Sequence, residues 1–173
     1  MIETTDTTDL VTVRATMEQF LGTEARLLDE GDLEAWYLLL DDEIHYETPI
    51  RVSTELPKDE VIRGAFRIRD DKAAVRTRID RYNTGIAYSE VPPSRTLRLV
   101  GSIEVRTTDE AGVYAVASAL VLYRQRGIDT YFDLIPARRN DLIRITPAGA
   151  RLQRREVILT ETSLATPNLG LFL

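Results

Sequence analysis

Residues 97–123, with the sequence LRLVGSIEVRTTDEAGVYAVASALVLY, decide the fold of this chain. Their first part alternates apolar and polar residues, and a period of two predicts a strand with one buried face. The apolar positions of this strand are Leu97, Leu99, Ile103 and Val105. Residues 108–112, TDEAG, predict a hairpin loop, because acidic residues and glycine favour turns. Residues 113–123 are apolar on both faces, which predicts a central strand.

Further strands follow this hairpin. Gly127 marks a turn, and residues 130–145 predict a long strand region that breaks near Pro136, because proline cannot donate to a strand ladder. Residues 151–160 are predicted to form the last strand. Residues 161–173 are predicted to form an extended tail.

Helices precede this sheet. From Leu10 onward, apolar residues recur at helical spacing, which predicts an amphipathic helix that ends at Gly31. A second helix is predicted at residues 33–40, with Asp32 as its N-cap. Residues 1–9 have neither pattern, and we interpret them as a disordered or extended leader.

The segment between the second helix and the hairpin is predicted to contain a strand, a loop and a helix. Ile44 and Tyr46 alternate with charged residues, which predicts a short strand that ends at Pro49. Residues 51–69 have no clear period and are predicted to be a loop. A third helix is predicted after Asp70 and Asp71, with apolar residues at helical spacing. These residues are Val75, Ile79, Tyr82 and Ile86. Segregated helices and an antiparallel meander predict one α+β domain over residues 10–173.

The residue counts exclude iron sites within this chain. The chain has no cysteine and one histidine, His45. A Rieske centre requires two cysteines and two histidines, and a facial-triad iron site requires two histidines and one carboxylate. The 22 basic and 28 acidic residues give a net charge of −6, which argues against nucleic acid as a partner. The longest nearly apolar run is too short to span a membrane, so we expect a cytoplasmic protein.

Several short motifs occur in order along the chain. They are EARLLD at 24–29, PPSRT at 92–96, RRNDLIR at 138–144 and NLGLFL at 168–173. Together they resemble the small (beta) subunits of aromatic-ring-hydroxylating dioxygenases.

This resemblance implies a cone-shaped fold of the nuclear-transport-factor-like or cystatin-like type, with a curved antiparallel sheet packed on about three N-terminal helices. It implies a structural, non-catalytic subunit in a hexamer of three large and three small subunits. The large (alpha) subunit would hold the Rieske iron–sulfur cluster and the mononuclear iron that oxidises an aromatic ring with dioxygen. Electrons would come through a reductase and a ferredoxin, as part of aromatic hydrocarbon catabolism.

An alternative is a stand-alone enzyme on the same fold, such as a dehydratase, an isomerase or a polyketide cyclase. Such enzymes place an acid or base inside the cone, where burial moves its pKa towards neutrality. In this chain the candidates are His45 and Asp42. Alternation places His45 opposite Ile44 and Tyr46, which favours a surface or interface position for this histidine.

The arginine-rich strands suggest a subunit interface. Arginine forms bidentate pairs with carboxylates, so these side chains could dock onto acidic groups of a large subunit or pair across strands of the same sheet. The candidate interface residues are Arg95, Arg98, Arg138, Arg139, Arg144, Arg154, Arg155, Asn168 and Phe172.

Overall fold

The computed structural model describes residues 5–84, 93–127, 130–163 and 168–173, with side chains from residue 10 onward. The helices are α1 (Thr5–Glu30), α2 (Leu33–Tyr37) and α3 (Lys72–Asn83), with a short 3-10 helix at Pro57–Asp59. The strands are β1 (Leu40–Arg51), β2 (Val61–Asp70), β3 (Ser94–Thr107), β4 (Val113–Arg126), β5 (Asp133–Thr146) and β6 (Gly149–Leu159). Within these ranges, no helix is long and apolar enough to cross a membrane.

The strands form one curved, open sheet in the order β2-β1-β6-β5-β4-β3. The pair β1–β6 is parallel, and the other neighbouring pairs are antiparallel. Helix α1 packs on the inner face of this sheet through a stripe of buried side chains that includes Met17, Leu21 and Leu28. The prediction of an α+β fold with a curved sheet and N-terminal helices is confirmed, with the parallel pair as an addition.

Three predicted boundaries in the first half of the chain are wrong. Helix α1 begins at Thr5, so residues 5–9 are helical and are not an extended leader. Helix α2 ends at Tyr37, and Leu40 already belongs to β1. Strand β1 continues through Pro49, because the ladder to β2 shifts its register on both sides of that proline and accommodates its missing N–H.

Strand β2 covers residues 61–69 of the segment 51–69, which we predicted to be a loop, and continues to Asp70. It is an edge strand whose residues are mostly exposed or half-buried, so it lacks the alternation of buried and exposed side chains that identifies a strand. Its side chains include Arg63, Arg67 and Arg69, and charged residues of this kind protect edge strands from unwanted pairing.

The predicted third helix is present as α3. Its N-cap is Asp71, whose side chain accepts a hydrogen bond from the Ala74 N–H at 2.8 Å. Val75 and Ile79 are buried and Tyr82 is half-buried, as the spacing predicts. Ile86 lies outside the described residues.

Strand β5 is continuous through Pro136, where we predicted a break. Pro136 lies one residue beyond the last pair of the β5–β6 ladder, Ala137 with Leu159. Its carbonyl accepts a hydrogen bond from the Thr160 N–H at 3.1 Å, so its nitrogen faces the end of β6. The missing N–H therefore removes no bond from the body of the ladder.

A β-bulge at Ser102 reverses the two faces of β3. The register with β4 shifts between Gly101 and Glu104, and Ser102 has a φ of +48°. After the bulge, Ile103 is partly buried against the core, as the alternation predicts. Before it, Leu97 and Leu99 are 56% and 64% exposed, and Arg98 is buried instead. The prediction that these two leucines share the buried face is therefore wrong.

The bulge gives a prediction about stability. A left-handed backbone costs a residue with a side chain about 1–3 kcal/mol, and a β-branched side chain is the least tolerant of it. We expect Ser102→Val to lower the free energy of unfolding by about 1–3 kcal/mol. Ser102→Gly is the control and should change it by less than about 1 kcal/mol. Urea unfolding of the two variants measures the difference, and equal losses would contradict the role of the bulge.

Candidate functional site

Four charged residues are buried together between α1 and the inner face of the sheet. Glu24 comes from α1, Arg139 and Asp141 come from β5, and Arg155 comes from β6. We call these four residues the buried charge cluster. Their side chains share one face because β5 residues 139 and 141 are two apart, and Asp141 pairs with Arg155 across the β5–β6 ladder.

Arg155 lies at the centre of the buried charge cluster. Its Nη1 and Nη2 donate to the two carboxylate oxygens of Glu24 at 2.7 and 2.8 Å. Its Nε and Nη2 donate to the two oxygens of Asp141 at 2.9 and 2.8 Å. Trp36 Nε1 also donates to Glu24, at 3.1 Å. These bidentate pairs fix the relative positions of α1, β5 and β6.

The opposite charges of the buried charge cluster favour the ionised forms of Glu24 and Arg155. Burial raises the pKa of Glu24, but the guanidinium groups of Arg155 and Arg139 outweigh burial and hold this pKa below its ordinary value. Burial lowers the pKa of Arg155, but Asp141 and Glu24 outweigh it and raise that pKa well above its ordinary value. Glu24 therefore remains a carboxylate at neutral pH, and it cannot act there as a proton donor.

Arg139 has weaker hydrogen bonds than the other members of the buried charge cluster, and one of its nitrogens has none in the part of the chain that the structure describes. Its Nε donates to Ser118 Oγ at 3.2 Å, and its Nη1 lies 3.4 Å from Glu24 Oε2. Its Nη2 has no hydrogen-bond partner among the described residues. Burial, followed by the neighbouring charge of Arg155, lowers the pKa of Arg139.

The last residues of the chain lie inside the cone. We call residues 168–173 the tail segment. Four arginines donate hydrogen bonds from their side chains to carbonyl oxygens of the tail segment. These bonds join Arg78 to Leu171 (3.2 Å), Arg98 to Phe172 (2.7 Å), Arg124 to Asn168 (3.3 Å) and Arg155 to Leu173 (3.1 Å). The arginines come from α3, β3, β4 and β6, so the tail segment connects elements that are far apart in sequence.

Two tyrosines also bind the tail segment. Tyr46 Oη donates to the Leu173 carbonyl at 3.0 Å and accepts from the Leu173 N–H at 2.7 Å. Tyr82 Oη donates to the Gly170 carbonyl. Burial is the main cause that raises the pKa of the Tyr46 hydroxyl, so it stays neutral and protonated.

Phe172 fills the centre of the cone and is 1% exposed. Its ring lies 4.3 Å from the ring of Trp36 and 6.1 Å from the ring of Tyr46, which it meets edge-on at 86°. The Arg78 guanidinium lies over the Phe172 ring at 4.2 Å from its centroid. This side chain therefore combines aromatic packing with a cation–π contact.

The two acid–base candidates lie outside this interior. His45 is exposed on the outer face of β1, between buried Ile44 and Tyr46. Asp42 is exposed and pairs with Lys72 Nζ at 2.5 Å. The hydrogen bond and charge of Lys72 lower the pKa of Asp42, so Asp42 stays ionised at neutral pH. Neither residue has the buried position that an acid or base of a cone enzyme requires.

Four of the nine candidate interface residues face the interior, which corrects that prediction for them. Arg98, Arg139, Arg155 and Phe172 are buried, and their partners are residues of this same chain. Arg144 is half-buried and pairs with Glu110 at 3.2 Å. The remaining residues are exposed or half-buried, and they stay predictions as interface residues. They are Arg95, Arg138, Arg154 and Asn168.

Sequence reasoning gave no site role to six residues of the interior. They are Glu24, Trp36, Tyr46, Arg78, Arg124 and Asp141. One of them had a visible signal: Glu24 falls on the apolar stripe of α1, seven residues after Met17 and four before Leu28. A carboxylate on the buried stripe of a helix requires a buried cation.

The outer face of the sheet exposes a group of apolar residues. Leu97 pairs with Tyr123 and Leu99 pairs with Val121 across β3 and β4, and the next strand adds Leu134 opposite Tyr123. Phe132 stacks on Tyr123 with ring centroids 5.2 Å apart. We call these residues the outer apolar patch: Leu97, Leu99, Val121, Tyr123, Phe132 and Leu134. Contiguous exposed apolar residues of this kind mark interaction surfaces.

The donor set of this chain does not fit an iron cofactor. The whole sequence has one histidine and no cysteine. Among the described residues, no group of three or more histidine, cysteine, aspartate or glutamate side chains is arranged to hold a metal ion. The carboxylates of the buried charge cluster are already engaged by arginine.

Comparison with known proteins identifies the family. A family model described as "Ring hydroxylating beta subunit" matches residues 23–166. The chain belongs to this family. The match confirms the resemblance that the sequence motifs indicated, and it identifies the chain as a beta subunit of the aromatic-ring-hydroxylating dioxygenase family.

Curated relatives of this beta subunit cover nearly its whole length. It is 43% identical over 155 residues to N,N-dimethyl phenylurea N-demethylase subunit beta of Sphingobium sp. (strain YBL2). That alignment covers 90% of this chain and 88% of that protein. It is 29% identical over 163 residues to benzene 1,2-dioxygenase subunit beta of Pseudomonas putida (strain F1). That alignment covers 90% of this chain and 86% of that protein.

Solved structures establish the fold type of the beta subunit. A chain of naphthalene 1,2-dioxygenase with bound indole has a TM-score of 0.78 and 21% identity, over 90% of this chain and 83% of that chain. An NTF2-like protein with a cystatin-like fold from Novosphingobium aromaticivorans has a TM-score of 0.60 and 21% identity, over 95% of each chain. The predicted nuclear-transport-factor-like fold is therefore confirmed.

Proposed function

We propose that this beta subunit is a non-catalytic scaffold that holds an iron-containing large subunit in a ring-hydroxylating oxygenase. The observation that carries the proposal is the occupation of the cone. The buried charge cluster and the tail segment occupy the interior, and the cavity beside Phe172 has no histidine among its described lining residues and has its Asp29 paired with Arg98. A stand-alone enzyme on this fold would need an open pocket with an unpaired acid or base. His45, the one histidine, points away from that interior.

In this proposal all metal chemistry belongs to the large subunit. That subunit holds the Rieske cluster and the mononuclear iron, and a reductase and a ferredoxin supply its electrons. Three large and three small subunits assemble around a three-fold axis in the cytoplasm. The names of the relatives span ring dioxygenation and N-demethylation, so we assign the choice of aromatic substrate and reaction to the large subunit.

The outer apolar patch is the proposed contact with the large subunit. It lies on the same face as the exposed arginines of the neighbouring strands, including Arg138. Apolar residues together with arginine are the composition that protein interfaces favour. An acidic border on the large subunit would complement these arginines.

Co-expression with the large subunit tests the proposal. We expect the two chains to elute together as one complex that contains iron, and this beta subunit alone to contain no iron and to have no oxygenase activity. Size-exclusion chromatography with iron analysis measures both properties. Separate elution of the two chains would contradict the proposal.

A charge in the outer apolar patch should disrupt this assembly. We expect Leu99→Asp to reduce co-elution with the large subunit at least 10-fold, because a buried unpaired carboxylate at an interface costs several kcal/mol. The matched control is Leu38→Asp, since Leu38 is 69% exposed and lies outside the outer apolar patch. The melting temperature of both isolated variants should stay near that of the unmodified chain. Equal co-elution of the two variants would exclude the patch as the contact.

A further inference from the structure

The tail segment is bound in the manner of a peptide ligand. Five of its six residues have a carbonyl oxygen that accepts a hydrogen bond from a side chain elsewhere in the chain. The donors are arginines and tyrosines of the helices and strands. Such donors recognise the peptide backbone itself, so this part of the recognition depends little on which side chains the bound segment carries.

Selectivity comes from one side chain of the tail segment. Phe172 is enclosed by Trp36, Tyr46 and Arg78, whose ring and guanidinium contacts require a flat aromatic group. Near the other end, the Asn168 side chain accepts a hydrogen bond from the Gly170 N–H at 2.9 Å and so shapes the turn that enters the cone. A peptide with an aromatic residue at the Phe172 position therefore fits the site.

The binding site is built from residues that also hold one another in place. Arg155 keeps its bidentate pairs with Glu24 and Asp141 independently of its bond to Leu173. Arg98 pairs with Asp29, and Arg78 pairs with Asp70 at 2.8 Å. These three arginines thus have carboxylate partners outside the tail segment, and Arg124 Nε donates to Ser94 Oγ at 3.0 Å, so each side chain is oriented with its remaining donors towards the bound backbone.

We propose that the cone interior is a peptide-binding site whose resident ligand is the chain's own tail segment. A separate peptide of the same sequence then competes for the site. The tail segment has an advantage in this competition because it is tethered, with an effective concentration on the order of millimolar for a short connection. This inference concerns the isolated chain and does not depend on the large subunit.

The first test uses the unmodified full-length chain with a fluorine label on the ring of Phe172. In fluorine NMR, a ring packed between Trp36 and Arg78 has a chemical shift distinct from that of a free ring. We expect the hexapeptide NLGLFL at a few millimolar to move about half of the signal to the free position, since it then matches the effective concentration of the tail segment. The control hexapeptide NLGLAL should displace less than a tenth as much. No free signal with about 10 mM NLGLFL after long incubation would overturn the proposal.

The second test uses the full-length Phe172→Ala variant. Its own tail segment has lost the aromatic anchor, so fluorescein-labelled NLGLFL should bind it at least 10-fold more tightly than it binds the unmodified chain. Binding should also raise the melting temperature of the variant, because a ligand that binds only the folded state stabilises it. Equal binding of NLGLFL and NLGLAL, or a melting temperature that NLGLFL leaves unchanged, would overturn the proposal even if the variant alone is partly unfolded.

Discussion

Replacement of Phe172 by alanine is expected to lower the free energy of unfolding by about 3–5 kcal/mol. The side chain is buried among Trp36, Tyr46 and Arg78, and its removal leaves a cavity at the centre of the cone. Part of the loss comes from released backbone contacts, because the Phe172 carbonyl is bound by Arg98. Urea unfolding, monitored by tryptophan fluorescence, measures this loss of stability, since Trp36 packs on Phe172.

Phe132→Ala is the matched control for this variant. It removes the same side chain from a residue that is 56% exposed and stacks on Tyr123. We expect it to cost less than about 1.5 kcal/mol, the value of an aromatic pair. If both variants lose the same stability, the tail segment is not an essential part of the core.

Replacement of Glu24 by glutamine should lower the free energy of unfolding by a similar amount. It removes one of two carboxylates that face Arg139 and Arg155, and it leaves a buried positive charge without compensation. Breaking a buried ion pair by removal of one partner costs about 3–5 kcal/mol. Urea unfolding at pH 7 measures the loss. A matched control is Glu18→Gln, because Glu18 lies on the exposed side of α1 and pairs only with Arg14 at 2.8 Å among the described residues.

The same residue predicts how stability depends on pH. The folded-state pKa of Glu24 is lower than its ordinary value of 4.5, so its contribution is present above pH 4.5 and is lost as pH falls through the lower folded value. The unmodified chain should therefore lose stability below pH 4.5 more steeply than Glu24→Gln. Parallel loss of stability in the two proteins below that pH would show that Glu24 is not held by its arginines.

Much of the fold can be predicted from the sequence, because apolar and polar residues alternate in its strands and its helices are amphipathic. The hairpin of β3 and β4 and the helix after Asp71 follow from local patterns and turn residues. Strand β2 could not be predicted this way, because an edge strand with exposed charges has no buried face to produce a pattern. The bulge at Ser102 was also invisible, because a one-residue shift exchanges the faces of a strand without changing its composition.

The interior was harder to predict than the fold. Its residues come from eight helices and strands and from the tail segment, and only the folded chain brings them together. Arg98 illustrates the difficulty: its surroundings in sequence suggest an exposed arginine, yet the shifted register points it at Asp29 and the Phe172 carbonyl. Motif similarity identified the family, and it did not identify which arginines face the interior.

The central claim is that this beta subunit supplies structure and no acid or base to the reaction. The most direct test is the oxygenation rate per iron of the co-purified complex when the beta subunit carries Asp42→Asn and His45→Ala together. We expect this rate to stay within about twofold of the unmodified complex. A loss of about 100-fold or more in a complex of normal size and iron content would contradict the claim, because that is the contribution of a general acid or base.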